Sequence, residues 1–172
     1  SQPPYEDFDQ DYLYYNTPFY PGFYVGFPAM AIGGARRVLD EFEKHTAGRV
    51  RFSGVNEKDS PTSQRVLAKL KMEMLTAESL MTEYIQMMER DKGGPYEGAK
   101  YKVIRATIIE KCTEIGVRAL LTLGGHALLK GHPVELFSRD LIAIATHITS
   151  LYEDGLIGYG RHLFGVQTNI QG

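Results

Sequence analysis

The sequence predicts an all-α fold: an antiparallel four-helix bundle with an extended N-terminal arm. Three observations lead there. Apolar residues recur at spacings of three and four through four separate stretches, turn residues punctuate the intervals, and no stretch alternates long enough for a β-strand. Helices that carry one apolar stripe and are joined by short connections bury those stripes against antiparallel neighbours. The domain reading is an arm over residues 1–22 and a bundle over residues 23–172.

The arm sets Tyr5, Tyr12, Tyr14, Tyr15 and Tyr20 among Glu6, Asp7, Asp9 and Asp11, with prolines at both ends. Its prolines oppose a continuous helix and its aromatics oppose a purely disordered tail. It reads as an extended segment laid on another surface, with a flexible leader as the alternative. The first helix runs from Phe23 to about His45 on the stripe Phe27, Ala31, Ala35, Val38 and Phe42. Pro28 delays its start or kinks it, and Gly33-Gly34 admits a close neighbour. A polar, aperiodic loop follows from Thr46 to Asp59.

Ser60-Pro61 then opens the second helix, since proline at the first helical position lacks only an N–H that would be unpaired anyway. Leu67, Leu70, Met74, Ala77, Met81, Tyr84 and Met88 form its stripe, and Asp91 to Pro95 ends it. The third helix, Tyr96 to Leu123, repeats the rhythm through Tyr101, Ile104, Ile108, Cys112, Ile115, Ala119 and Thr122. Gly124-Gly125 breaks it. After a short connector, a fourth helix spans about residues 134 to 153, with Ser138-Arg139-Asp140 at its opening or at a bend, and with Leu141, Ile144, Ile148 and Leu151 inward. Glu153-Asp154-Gly155 interrupts it, and the glycine-rich tail carries no assignment.

Composition excludes several classes of function. The 172 residues suit one domain, and a net charge of -2 with interspersed signs leaves no nucleic-acid footprint. Cys112, the one cysteine, implies neither a disulfide framework nor a cysteine zinc site, and a reducing, cytoplasmic setting is expected. No apolar run is long enough for a membrane span, and no basic-then-apolar leader opens the chain.

Few constellations could carry chemistry. A di-iron bundle needs two Glu-x-x-His pairs, and none of His45, His126, His132, His147 and His162 has glutamate three residues earlier. Glu41 and His45 read as a solvated contact one turn apart, and no metal site is expected. No phosphate-binding glycine loop occurs. Cys112 belongs to an apolar stripe and reads as packing. His147, three residues after Ile144 and four before Leu151, sits on or beside the inward face; it is either a satisfied core histidine or a proton-transfer group. Arg49 and Arg51, with Phe52 between turn residues, are either a solvated pair or a phosphate contact.

Taken in order, Gly33-Gly34-Ala35-Arg36, Arg49-Val50-Arg51-Phe52, Pro61 with Gln64, Leu123-Gly124-Gly125 and Arg139-Asp140 resemble the C-terminal helical domain of the acyl-CoA dehydrogenase superfamily. The likeness covers about residues 18 to 165. Thr146-His147, Glu153-Asp154, Tyr159-Gly160-Arg161 and Phe164-Gly165 look most like its two-component flavin-dependent monooxygenase branch, which hydroxylates aromatics. That resemblance implies that His147 faces flavin and substrate, assisting deprotonation or stabilising the oxygenated flavin. It implies that Arg51, with Phe52, meets flavin phosphates across a subunit boundary, and that Gly124 and Gly125 mark a turn close to a neighbouring subunit's cofactor. Ser53 between Phe52 and Gly54 departs from the family pattern, as does Ala127 where an aromatic is usual. The dehydrogenase branch is the alternative, although its tyrosine–glutamate pair is here His147-Ile148; a non-catalytic helical assembly module is the third reading.

Further expectations follow from the resemblance. The cofactor is FAD or reduced FMN/FAD, the substrate a small organic molecule, the partners a homodimer or homotetramer and a separate flavin reductase. Superfamily members carry a helical domain and a β-barrel ahead of this part. The chain is therefore expected to be a fragment or a bundle of reduced role, holding flavin weakly and inactive alone.

Overall fold

In the computed structural model of the protein, residues 16–166 are described. Six α-helices account for most of them: α1 (Phe19–Tyr24), α2 (Gly26–Gly48), α3 (Pro61–Arg90), α4 (Gly98–Leu123), α5 (Pro133–Ala145) and α6 (Tyr152–Leu163). Helices α2 to α5 form the expected antiparallel bundle, and α6 adds a fifth long element packed along α4. Among the described residues there is no β-strand, only an isolated bridge between Val50 and Asn56. Most of the arm lies outside the described residues. Its last residues, from Phe19, are helical rather than extended, with Pro21 inside that short helix.

Helix α4 is the hub, touching α2, α3, α5 and α6. A helix enclosed by four neighbours must be apolar on several faces, and Val103, Ile108, Ile109, Cys112 and Ile115 are all buried. The predicted stripes hold: Ala31, Ala35, Val38 and Phe42 on α2, and Leu70, Met74, Ala77, Tyr84 and Met88 on α3, are buried. Tyr84 and Tyr101 meet edge to face with ring centroids 5.1 Å apart. Each hydroxyl then finds an acceptor: Tyr84 donates to the Pro21 carbonyl at 2.9 Å, tying α1 to the bundle, and Tyr101 donates to Asp91 at 2.9 Å.

Small residues set the crossings. A β-carbon on Gly116 would stand 3.0 Å from Ser138 Oγ and 3.2 Å from Leu141 Cδ1, so α4 and α5 approach closely because glycine is there. Of the Gly33-Gly34 pair only Gly34 faces a neighbour, with Leu141 Cδ2 3.4 Å from its would-be β-carbon. Leu141 thus keys α5 against both α2 and α4.

The fourth helix starts where expected, at Pro133, and ends early. Ser138 is buried in mid-helix rather than at its opening, and Arg139 pairs with Glu135 one turn back at 3.4 Å. The helix stops at Ala145, short of the expected 153. Thr146 to Ser150 are weak helix formers, the Thr146 hydroxyl donates to the Ala143 carbonyl, and the chain tightens into a 3-10 turn at Ile148–Ser150. Glu153 and Asp154, expected to interrupt a helix, instead lie in the first turn of α6, where carboxylates oppose the positive end of the helix dipole. Gly155 is needed because α6 crosses α4 at Val103 and Ala106.

Candidate functional site

The up-and-down course of the bundle gathers the end of α2, the start of α3, the end of α4 and the start of α5 at one end. Arg51, Phe52, Gly124 and Gly125 all lie there. His147 lies at the other end, beyond the last turn of α5, whose 13 residues span roughly 20 Å at about 1.5 Å per residue. The predicted residues therefore form two groups separated by about the length of α5.

At the first end, the loop after α2 doubles back through Gly54, whose φ of 80° places it in the left-handed region. Arg51 faces inward across this loop. Its guanidinium grips Glu57 at both oxygens, at 2.8 Å and 2.7 Å, and donates to Ser60 Oγ at 3.0 Å. That contact explains why Ser60, at the N-cap of α3, makes no side-chain cap. Ser63 also donates to Glu57. Phe52 is fully exposed.

Hydrogen bonds from Arg51 and Ser63 hold the Glu57 carboxyl at about 2, down from 4.5. A depressed carboxylate contributes stability above its unfolded value and loses it as pH falls through the folded one. The loop should accordingly stay closed at pH 4 and open near pH 2, and the effect on overall stability should be small because the pair is largely solvated. The Glu57 carboxyl resonance checks this; a midpoint near 4.5 would mean that the pair does not form.

Gly124 ends α4 with φ of 78°, and neither Gly124 nor Gly125 has any atom within 4 Å of a would-be β-carbon. Bare backbone thus faces open space. Beside this turn lies an open cleft of about 520 Å³, lined by Glu41, Lys44, His45, Gly48, Arg49, His126 and His132. It is Arg49, not Arg51, that lines the cleft.

Three imidazoles converge in it. His45 lies 5.8 Å from His126 and 6.2 Å from His132 between ring centroids, and His126 lies 5.6 Å from His132. Burial, and then Arg49, His126 and His132, hold His45 below the ordinary imidazole range. His132 also caps α5, its Nδ1 accepting from the Val134 N–H at 3.2 Å. The expected solvated contact between Glu41 and His45 is not what forms: Glu41 pairs with Arg37 at 2.6 Å and His45 turns to the other histidines. The clustering escaped a reading built on spacing along single helices. The topology held a signal, because helices one and three of such a bundle end where helix four begins.

At the second end, His147 is exposed and off the helix, not on its inward face, because α5 has already ended. Its ring rests on Phe27, 5.1 Å between centroids. Phe27 continues into Tyr24, and Arg105, buried in α4, stacks 4.5 Å over the Tyr24 ring. Phe19, Phe23, Ile148 and Phe164 are exposed. Cys112 lies between the two ends, buried, with its thiol pushed up to about 12 by burial, and acts as packing.

The fold and these two surfaces define a helical domain whose polar groups sit on faces left open rather than in an enclosed pocket. The family model for the acyl-CoA dehydrogenase C-terminal domain matches residues 25–150, and the chain belongs to that family. No curated protein matches it. Among solved structures, XiaF from Streptomyces sp., in complex with FADH2 and glycerol, superposes with a TM-score of 0.83 at 14% identity, covering 92% of this chain and 42% of that one. The HsaA monooxygenase from M. tuberculosis gives 0.75 at 21% identity, covering 91% and 42%. Butyryl-CoA dehydrogenase from Megasphaera elsdenii gives 0.72 at 21%, covering 84% and 36%. The chain spans less than half the length of these structures, and at such identities the likeness is one of fold. Among the described residues no helix is long and apolar enough to cross a membrane.

Proposed function

We propose that this bundle is the C-terminal, flavin-contacting and oligomer-forming part of a longer flavoprotein, a reduced-flavin-dependent monooxygenase that hydroxylates an aromatic or similar organic substrate. The observation that carries the reading is the placement of His147: an exposed imidazole beyond the last turn of α5, resting on an aromatic ring that leads to further rings. A planar substrate or isoalloxazine is suited to such a surface. Oligomerisation is supported by the separation of the two groups. One flavin ring cannot face His147 while its own phosphates lie at the Gly124 turn of the same bundle, so the two ends serve flavins of different subunits.

The residues present fit such a cofactor on an open surface. Gly124 and Gly125 offer backbone without side-chain obstruction, and Lys44 and Arg49 supply positive charge beside them for phosphate. Arg51 is already held by Glu57, so the phosphate role falls more naturally to Arg49. When bound, reduced flavin supplies two electrons to dioxygen; one oxygen enters the substrate and the other leaves as water. His147 accepts the proton of a phenolic hydroxyl, which raises electron density on the ring carbon that takes the oxygen. The exposed apolar residues around it exclude water only once another domain or subunit covers them. The chain alone is accordingly expected to hold flavin weakly and to be inactive.

The test is oxygen incorporation. The complete enzyme, given reduced flavin from a separate reductase, should place one atom of labelled dioxygen into a phenolic substrate. Anaerobic bleaching of its flavin by an acyl-CoA thioester, with no reductase present, would instead establish the dehydrogenase reading. A defined oligomer whose flavin responds to neither treatment would leave a helical assembly module.

A further inference from the structure

We infer that His45, His126 and His132 form a binding site for a late divalent transition metal, with zinc the natural occupant. One ring nitrogen from each histidine lies within 4.8 Å of those of the other two. Zinc holds imidazole nitrogens at about 2.0–2.1 Å, which sets neighbouring donors roughly 3.4 Å apart. Closing that difference requires the rings to turn toward a common centre. The three ligands come from three elements: the last turn of α2, the 3-10 turn after α4, and the N-cap of α5. Core packing does not account for the convergence, because His126 is exposed and the rings line an open cleft; of the three, His132 has a structural task of its own, the cap of α5.

The ligand chemistry selects the metal class. Imidazoles suit zinc, copper and nickel and do not suit magnesium or calcium, which take oxygen. Glu41 lines the cleft but is engaged by Arg37. Three protein donors are then available, the number that leaves a coordination position for water or an anionic oxygen. Lys44 and Arg49 on the same wall oppose a bare dication but favour an anionic fourth ligand, and Glu57 offsets part of their charge at His45. His132 offers its Nε2 while its Nδ1 caps α5. A metal on Nε2 moves the imidazole proton to Nδ1, so the capping bond is given up, and metal binding is coupled to the start of α5.

Cobalt titration of the intact chain at neutral pH tests the site without flavin or substrate, so its outcome is independent of the proposed monooxygenase chemistry. One equivalent of Co2+ should develop the strong visible absorption of a four- or five-coordinate ion, Zn2+ should displace it, and Mg2+ should not. His126→Ala is the decisive variant, since that side chain is exposed and caps nothing. It should weaken Co2+ binding by at least ~10-fold with the helical circular dichroism unchanged. Absence of the visible band, or equal affinity in His126→Ala, overturns the site. So does a cleft that takes inorganic phosphate, seen as shifts of the His45 and His126 resonances, while Co2+ leaves them unmoved; that result would mark an anion site.

Discussion

His147→Ala in the complete enzyme is expected to slow substrate hydroxylation by about two to four orders of magnitude, the range a general base contributes. The folded bundle should be indifferent to the change. His147 is exposed and lies outside any helix, and substitutions at such positions shift stability by about 0.5 kcal/mol or less. The reduced-flavin reaction with dioxygen should continue, so oxygen consumption uncouples from product and peroxide is released. His147→Gln separates positioning from proton transfer, because the amide can hydrogen-bond yet takes no proton. A glutamine variant as active as the parent, or an alanine variant with unchanged turnover, would remove the assigned role.

Leu141→Ala is expected to destabilise the chain by about 2–5 kcal/mol, the usual loss for deleting a buried leucine, and to lower its melting temperature by roughly 10 °C. The residue is 1% exposed and stands where α5 meets both Gly34 of α2 and Gly116 of α4. Neither glycine can fill the void left behind. Two helices lose their spacer at once, and α5 carries both the His132 cap at one end and the turn to His147 at the other. Thermal unfolding by circular dichroism checks the value. A loss well below 1 kcal/mol would mean that the three helices close the gap, and that the glycine-lined crossing is not what positions α5.

The two variants probe different sources of information. Leu141 was recognisable from periodicity, as were Val38, Leu70, Met74 and Ile108, because a stripe at helical spacing must face something apolar whatever that partner is. The start of α3 at Pro61 and the end of α4 at Gly124 were equally legible, since each depends on the backbone chemistry of one or two residues. The end of α5 was not. Ile148 and Leu151 extend the apolar rhythm, yet Thr146 to Ser150 turn away into a 3-10 segment, and α6 starts afresh to lay Gly155 against α4. Periodicity reports which face is apolar and cannot tell a continued helix from two helices covering the same neighbour.

What the sequence determined by itself is the four bundle helices, their inward faces, the family resemblance and the absence of any nucleotide loop or di-iron pair, all properties of residues close together in the chain. The tertiary structure alone decided which polar groups meet. It joined Arg51 to Glu57, turned His45 away from Glu41 toward His126 and His132, set His147 on Phe27 in the open, and parted the two groups of site residues by the length of α5. Side chains tens of residues apart become neighbours only through the course of the helices that carry them, and their charge and hydrogen bonding follow from that meeting rather than from spacing.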